Sequence, residues 1–195
     1  MTIAISPDRL ASTNFFQAHA LMSDGDWVIQ VAGGNFNYGE AAAAVGTLIH
    51  FTDIEAEDFE IAFDLKSVQA NSWGNNYVGL AFHIQDDRRY ELLYHRISFS
   101  GLPNAMKSLD VIDGVDRWWE REAAPYVGPA IYPQNDWFTT TVRVQGRTLT
   151  ASVDRQAPSL VAVPLHGKYP KGRIGFWAWP GSGVSHIRNI RLSHL

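Results

Sequence analysis

The chain has 195 residues, 46% of them hydrophobic and 18% charged, a globular balance with enough length for one sizeable core. Its formal net charge is −4 with no basic run, which argues against nucleic acid as a partner, since that needs a cationic footprint. It has no cysteine, so neither a disulfide framework nor a thiolate zinc site can form.

The opening MTIAISPDRLASTNFF has no cationic stretch followed by an apolar one, and no apolar run approaches the ~18 residues of a membrane helix. The expectation is a soluble, cytoplasmic protein with no membrane partner, folded as a single domain over residues 1–195. Residues 1–26 read as irregular, with Pro7 and the turn Ser23-Asp24-Gly25-Asp26. Residues 27–31 are a short apolar run that Gly33-Gly34 breaks. AAAAVG at 41–46 is helical by propensity, but it is short and flanked by glycines, so a loop or strand edge is expected. Residues 47–51 read as a strand. In FEIAFDLK (59–66), Phe59, Ile61, Phe63 and Leu65 alternate with Glu60, Ala62, Asp64 and Lys66, a strand with one buried face.

After a polar loop at 71–76 comes YVGLAFHIQDDRRYELLYHRI (77–97), which reads as a hairpin around Asp86-Asp87-Arg88. Val78, Leu80, Phe82 and Ile84 alternate with Tyr77, Gly79, Ala81 and His83. Tyr90, Leu92 and Tyr94 alternate with Glu91, Leu93 and His95. A three-residue loop pairs Ile84 with Tyr90, Phe82 with Leu92 and Leu80 with Tyr94 toward the core. The same register sets His83 opposite Glu91, Ala81 opposite Leu93 and Gly79 opposite His95 on an outer face. Small residues leave room there, between a His–Glu pair and a second His.

Residues 98–108 read as a loop and 109–112 as a strand closed by Asp113-Gly114. Trp118-Trp119 opens a long irregular segment through Pro133; loops of that length in a compact domain are often functional. Residues 137–144 and 148–153 form a second hairpin around Gln145-Gly146. In 173–179, Ile174, Phe176 and Ala178 share one face, while Gly175, Trp177 and Trp179 share the other. A turn at 180–183 leads to a last strand at 187–192. With no amphipathic helix, the expected fold is all-β, a two-sheet antiparallel jelly-roll sandwich. Phe63, Leu80, Phe82, Leu92, Val142, Val144, Leu149, Ile174 and Phe176 are expected between the sheets.

Four segments, DFEIAFDLK (58–66), YVGLAFHIQDDRRYELLYHR (77–96), NDWFTTTVRVQGRTLTASVD (135–154) and GRIGFWAW with HIRNIRL (172–192), resemble the concanavalin A-like lectin and glucanase superfamily. More narrowly they resemble the 3-keto-disaccharide hydrolase domain, from which the chain departs by reading Asn-Asn-Tyr-Val-Gly at 75–79. The resemblance implies a curved sheet whose outer face is a groove for a carbohydrate ligand, with the 77–97 hairpin in its floor.

Two functional readings stand. One is a glycoside hydrolase acting on (keto)glycosides, with Glu91 and His83 as acid and base, since directly paired strand residues lie ~5 Å apart. The other is a non-catalytic, lectin-like glycan-binding module. Both draw on His95, Trp177, Trp179, Tyr77, Trp73 and Trp118 as substrate-binding residues, with Tyr126 and Tyr132 in the long loop. The plainer alternatives are a solvated His–Glu pair and tryptophans that close the ends of the sandwich. Glu60 and Asp64 are candidates for a second carboxylate, which a glycosidase needs ~5 to ~9.5 Å from the first. No cofactor is expected beyond a structural calcium ion, weakly signalled by Asp24, Asp26 and Asp154.

Overall fold

The structure, a computed structural model, describes residues 3–4, 10–12, 19–23, 26–32, 47–70, 72–116, 124–133, 135–154, 156–167, 169–179 and 183–195. In chain order its strands are β1 (Ile3–Ala4), β2 (Leu10–Ser12), β3 (His19–Ser23), β4 (Asp26–Ala32), β5 (Thr47–Ala56), β6 (Phe59–Gln69), β7 (Asn75–Asp86) and β8 (Arg89–Ser98). They continue as β9 (Ala105–Ile112), β10 (Val115–Asp116), β11 (Val127–Pro129), β12 (Phe138–Gln145), β13 (Thr148–Val153), β14 (Leu160–Pro164), β15 (Gly172–Ala178) and β16 (Val184–His194).

Among the described residues these strands make two antiparallel sheets and no helix. The first runs β14-β13-β12-β6-β16-β4-β3, with β1 on β16; the second runs β10-β9-β8-β7-β15-β5-β2, with β11 on β9. The fold is the expected two-sheet antiparallel sandwich. The strong alternation of β6 places Phe59, Ile61, Phe63 and Leu65 in the core and turns Glu60 and Asp64 outward. Phe63 meets Phe176 edge-on at 5.2 Å between ring centroids, and Phe51 meets the same ring at 6.1 Å. Such edge-to-face contacts add to the burial of the rings themselves. One polar side chain bridges this apolar layer near the start of β7. The Asn76 side-chain amide donates to the hydroxyls of Ser67 (2.8 Å) and Ser185 (3.0 Å), on β6 and β16 of the facing sheet.

The central hairpin differs from the expected register. Asp86 pairs with Arg89, so the turn has two residues rather than three. Between Phe82 and Asp86 the pairing then shifts, with His83, Ile84 and Gln85 set against Tyr90 alone and His83 at φ +48°. Beyond this bulge Phe82 lies opposite Glu91, Leu80 opposite Leu93 and Val78 opposite His95. The slip reverses the faces of β8. Leu93 and His95 point between the sheets. Leu92, expected in the inter-sheet core, is buried on the outer face with Tyr94, and the bulge sends Ile84 there too. Tyr90, paired toward the core in the expected register, lies on the outer face as well, while the other expected core residues lie between the sheets.

Candidate functional site

The outer face of the second sheet carries an apolar centre. Leu48, Ala81, Ile84, Tyr90, Leu92, Tyr94, Leu109, Val111 and Trp177 form one buried cluster on it, with Tyr77 and Trp179 partly buried against them. Four of these rings touch in a row. Tyr77 and Tyr94 are 6.3 Å apart, Tyr94 and Trp177 5.6 Å, and Trp177 and Trp179 6.0 Å. Tyr94 and Trp177 stand on β8 and β15 and meet across the intervening β7, because the residue between them is Gly79. A Cβ at Gly79 falls 1.9 Å from the Leu93 carbonyl oxygen, so the backbone packing itself demands glycine there. Trp177, Trp179 and Tyr77 therefore share one face, as their alternation predicts. Tyr94 was read as core and joins them only through the register shift.

His83 and Glu91 do meet, but not on that face. Both are 1% exposed and lie at one end of the inter-sheet layer, with His83 Nδ1 2.6 Å from Glu91 Oε2. His83 Nε2 donates to the Glu57 carbonyl at 2.9 Å, and Nδ1 and the Glu91 carboxyl share one hydrogen bond at 2.6 Å. From the β12–β13 turn of the facing sheet, Arg147 donates to the other Glu91 oxygen at 3.0 Å and to the carbonyls of Leu165 and Gly167. Gly167 lies so close over the carboxyl that a Cβ there would stand 2.6 Å from Glu91 Oε1. The expected outer-face placement is thus corrected. The bulge draws His83 to the inner side, and the register shift turns Glu91 inward.

His95 is corrected in the same way. It is fully buried between the sheets, where the Thr140 hydroxyl donates to Nε2 at 3.0 Å. His95 Nδ1–H donates to the Tyr132 hydroxyl at 3.0 Å, which in turn donates to the Ala105 carbonyl at 2.9 Å. Burial lowers its pKa to about 3, so the ring is neutral at pH 7. Tyr132, held in this chain, is core as well, and burial raises its hydroxyl well above the usual range. Both side chains are buried, His95 at 0% and Tyr132 at 6% exposed.

Trp73 is 48% exposed in the turn before β7. Trp118 and Trp119 lie outside the described residues, as does 41–46. Tyr126 accompanies His166 at 2.6 Å between its hydroxyl and Nε2. Glu60 and Asp64 stand on the outer side of the opposite sheet, away from Glu91. Asp64 accepts from Thr139 and Asn189, each at 2.7 Å, as a surface hub. Of the three suggested calcium ligands, Asp24 is outside the described residues, only the strand position of Asp26 is described, and Asp154 accepts from the Thr139 amide at 2.8 Å. Among the described residues no three His, Asp or Glu side chains are grouped as a metal cage.

Two residues of the outer face carried no role in the sequence reading. His50, on β5, is 5% exposed and lies opposite Gly175. Arg173 donates through Nη1 to His50 Nε2 at 2.7 Å and through Nη2 to the Gln85 carbonyl at 3.2 Å. Beside Arg173 opens a cleft of about 490 Å³, lined by Glu55, Ile84, Gln85, Pro170, Lys171, Gly172 and Arg173. The alternation of His50 with Ile49 and Phe51 was a readable signal for its outward side; its partner, 123 residues away, was not.

No protein-family model matches the chain, and no curated protein matches it by sequence. Solved structures do match in fold. The carbohydrate binding module CBM66 from Bacillus subtilis superposes with a TM-score of 0.65 at 12% identity, over 95% of this chain and 96% of that one. A Bacillus subtilis protein of unknown function with a galectin-like fold gives 0.63 at 10% identity, over 96% and 90%. A native glycosidic hydrolase gives 0.57 at 9% identity, over 98% and 94%. At these identities the likeness is one of fold, a galectin-like and concanavalin A-like sandwich, and sets no activity.

Proposed function

We propose that the protein is a glycan-binding module that takes carbohydrate on the outer face of its second sheet. The observation that carries the reading is the row Tyr77–Tyr94–Trp177–Trp179, four touching rings laid across three strands over Gly79. Sugar sites combine an apolar, aromatic wall with a few placed polar groups, and Arg173 and His50 supply such groups one to two residue pairs along β15. Tyr77 and Trp179 are the partly exposed members, hence the rings a sugar meets first. The fold-level likeness to a carbohydrate binding module agrees with this use of the sandwich. The test is titration of a glycan panel against wild type and Trp179→Ala. Affinity should fall about tenfold or more for the ligand bound, as for an aromatic anchor, with the melting temperature nearly unchanged. Equal affinity in the two proteins overturns the reading.

A second reading, a hydrolase resembling the 3-keto-disaccharide hydrolases, is favoured by the 2.6 Å His83–Glu91 contact. Against it, both groups are buried under Gly167 and Arg147 engages the carboxylate. Glu91→Gln separates the two. For a binding module it lowers stability by about 3 kcal/mol, the cost of breaking a buried pair, and leaves glycan affinity intact. For a hydrolase it abolishes turnover.

A further inference from the structure

We infer that the outer face carries a subsite for the carboxylate of a hexuronic acid, in the notch over Gly175; this rests on the glycan-binding reading above. Along β15, Arg173, Gly175 and Trp177 all face outward, because Ile174 and Phe176 fill the inter-sheet core. Gly175 has His50 on one side and Ala81 on the other. The notch between Arg173 and Trp177 is therefore floored by a glycine and an alanine and walled by His50. A Cβ at Gly175 would lie 2.0 Å from the Ile49 carbonyl oxygen, so close backbone packing keeps the floor bare. Diagonal neighbours on adjacent strands lie within roughly 8 Å, which brings His50 within reach of both Trp177 and Arg173.

Among the described residues Trp177, 2% exposed, has no hydrogen-bond partner for its Nε1–H, and His50 Nδ1 is likewise buried without one. A guanidinium only donates, so His50 Nε2 must hold a lone pair to receive Arg173, and the neutral ring then carries its proton on Nδ1. Burial and then the Arg173 charge lower the His50 pKa, which keeps the ring neutral at pH 7. The buried His50 Nδ1–H thus stands unsatisfied beside a cation, and the Trp177 indole N–H stands unsatisfied on the same face, an arrangement that costs stability until an acceptor fills it. Leu48, Ala81 and Leu92 around them offer no acceptor in return. A neutral sugar hydroxyl could accept from these donors but would bring a proton of its own that needs an acceptor. A carboxylate accepts only, takes several donors at once, and complements the guanidinium. Glu55, the carboxylate nearest by register, is held by Lys171 at 3.8 Å. The cleft beside Arg173 gives the approach.

The test uses the full chain and oligomers of glucuronate, galacturonate and mannuronate, each beside its carboxyl-reduced counterpart. Binding is measured by calorimetry, and the Trp177 indole N–H is followed by ¹⁵N NMR, assigned with Trp177→Phe. We expect at least one acidic oligomer to bind about tenfold or more tightly than its reduced form, as for a charge-assisted hydrogen bond. Arg173→Gln should erase that preference, and the Trp177 indole resonance should shift on binding. Equal binding of acidic and reduced oligomers overturns the acidic subsite but leaves the glycan-binding reading standing, as does a preference that survives in Arg173→Gln. Binding of no oligomer of either kind overturns the subsite and weighs against the broader reading. If Arg173→Gln does not fold, an indole resonance that stays fixed when the wild type is saturated with the acidic oligomer still refutes the subsite.

Discussion

Acid should destabilise this protein through His95 in a way that one substitution can isolate. The ring is fully buried and neutral, wired between Thr140 and Tyr132, with its pKa lowered to about 3 by burial. In the unfolded chain the same ring titrates near ~6.5. Between these values the unfolded state binds the extra proton, so stability rises with pH there. The contribution is fully present above about pH 7 and is lost as pH falls below ~6.5, at about 1.4 kcal/mol per pH unit. From pH 8 to pH 5 the loss from this residue is about 2 kcal/mol. His50 and His186 are also lowered, mainly by burial and then by Arg173 and Lys66 respectively, and push the total in the same direction. His95→Gln removes the titration while keeping one donor and one acceptor for Tyr132 and Thr140. Urea melts of both proteins at half-unit pH steps give the assay. The wild-type curve should steepen relative to the variant's by about 2 kcal/mol between pH 8 and pH 5. Parallel curves would refute the burial of a neutral His95.

Two further substitutions probe the frame under the aromatic face. Asn76→Ala should cost about 2–3 kcal/mol in denaturant unfolding, because it strands the buried Ser67 and Ser185 hydroxyls in the facing sheet. A loss below about 0.5 kcal/mol, the level of an ordinary surface change, would contradict that role. Gly79→Ala should lower stability by about 3 kcal/mol or more, since its Cβ would strike the Leu93 carbonyl and Tyr94 Cα, both backbone. A variant with an unchanged melting temperature would show that β7 and β8 are not so closely packed.

The parts of the fold that the sequence made legible are those with one polar face. β6 alternates phenylalanine and isoleucine with glutamate and aspartate, and its inward set was read correctly. The β12–β13 hairpin, expected to turn at Gln145-Gly146 and turning at Gly146-Arg147, was read to within a residue. The hairpin of β7 and β8 was not, because both of its faces are apolar. Leu92 and Tyr94 could face the core as readily as Leu93, and Glu91, the charge read as marking the outer side, points inward. The deciding features were a two-residue turn and the left-handed backbone at His83, neither of which periodicity reports. His83 and Glu91 still came together, since a bulge changes which side a pair occupies without moving it far along the strands. Arg147, which completes that cluster, reaches it from a turn in the other sheet, a contact set by the packing of the two sheets. β11 fell within the segment read as irregular and β14 drew no reading, both being short strands with little alternation.

The most direct test of the central claim is a map of the bound ligand. Amide and indole NMR shifts are recorded as the glycan from the panel with the highest affinity is titrated into the labelled protein. Shifts should concentrate on the outer face of the second sheet, at Tyr77, Tyr94, Trp177 and Trp179 and their strand neighbours. Shifts centred instead on His83, Glu91 and Arg147, or on the outer side of the β6 sheet around Asp64, would contradict it.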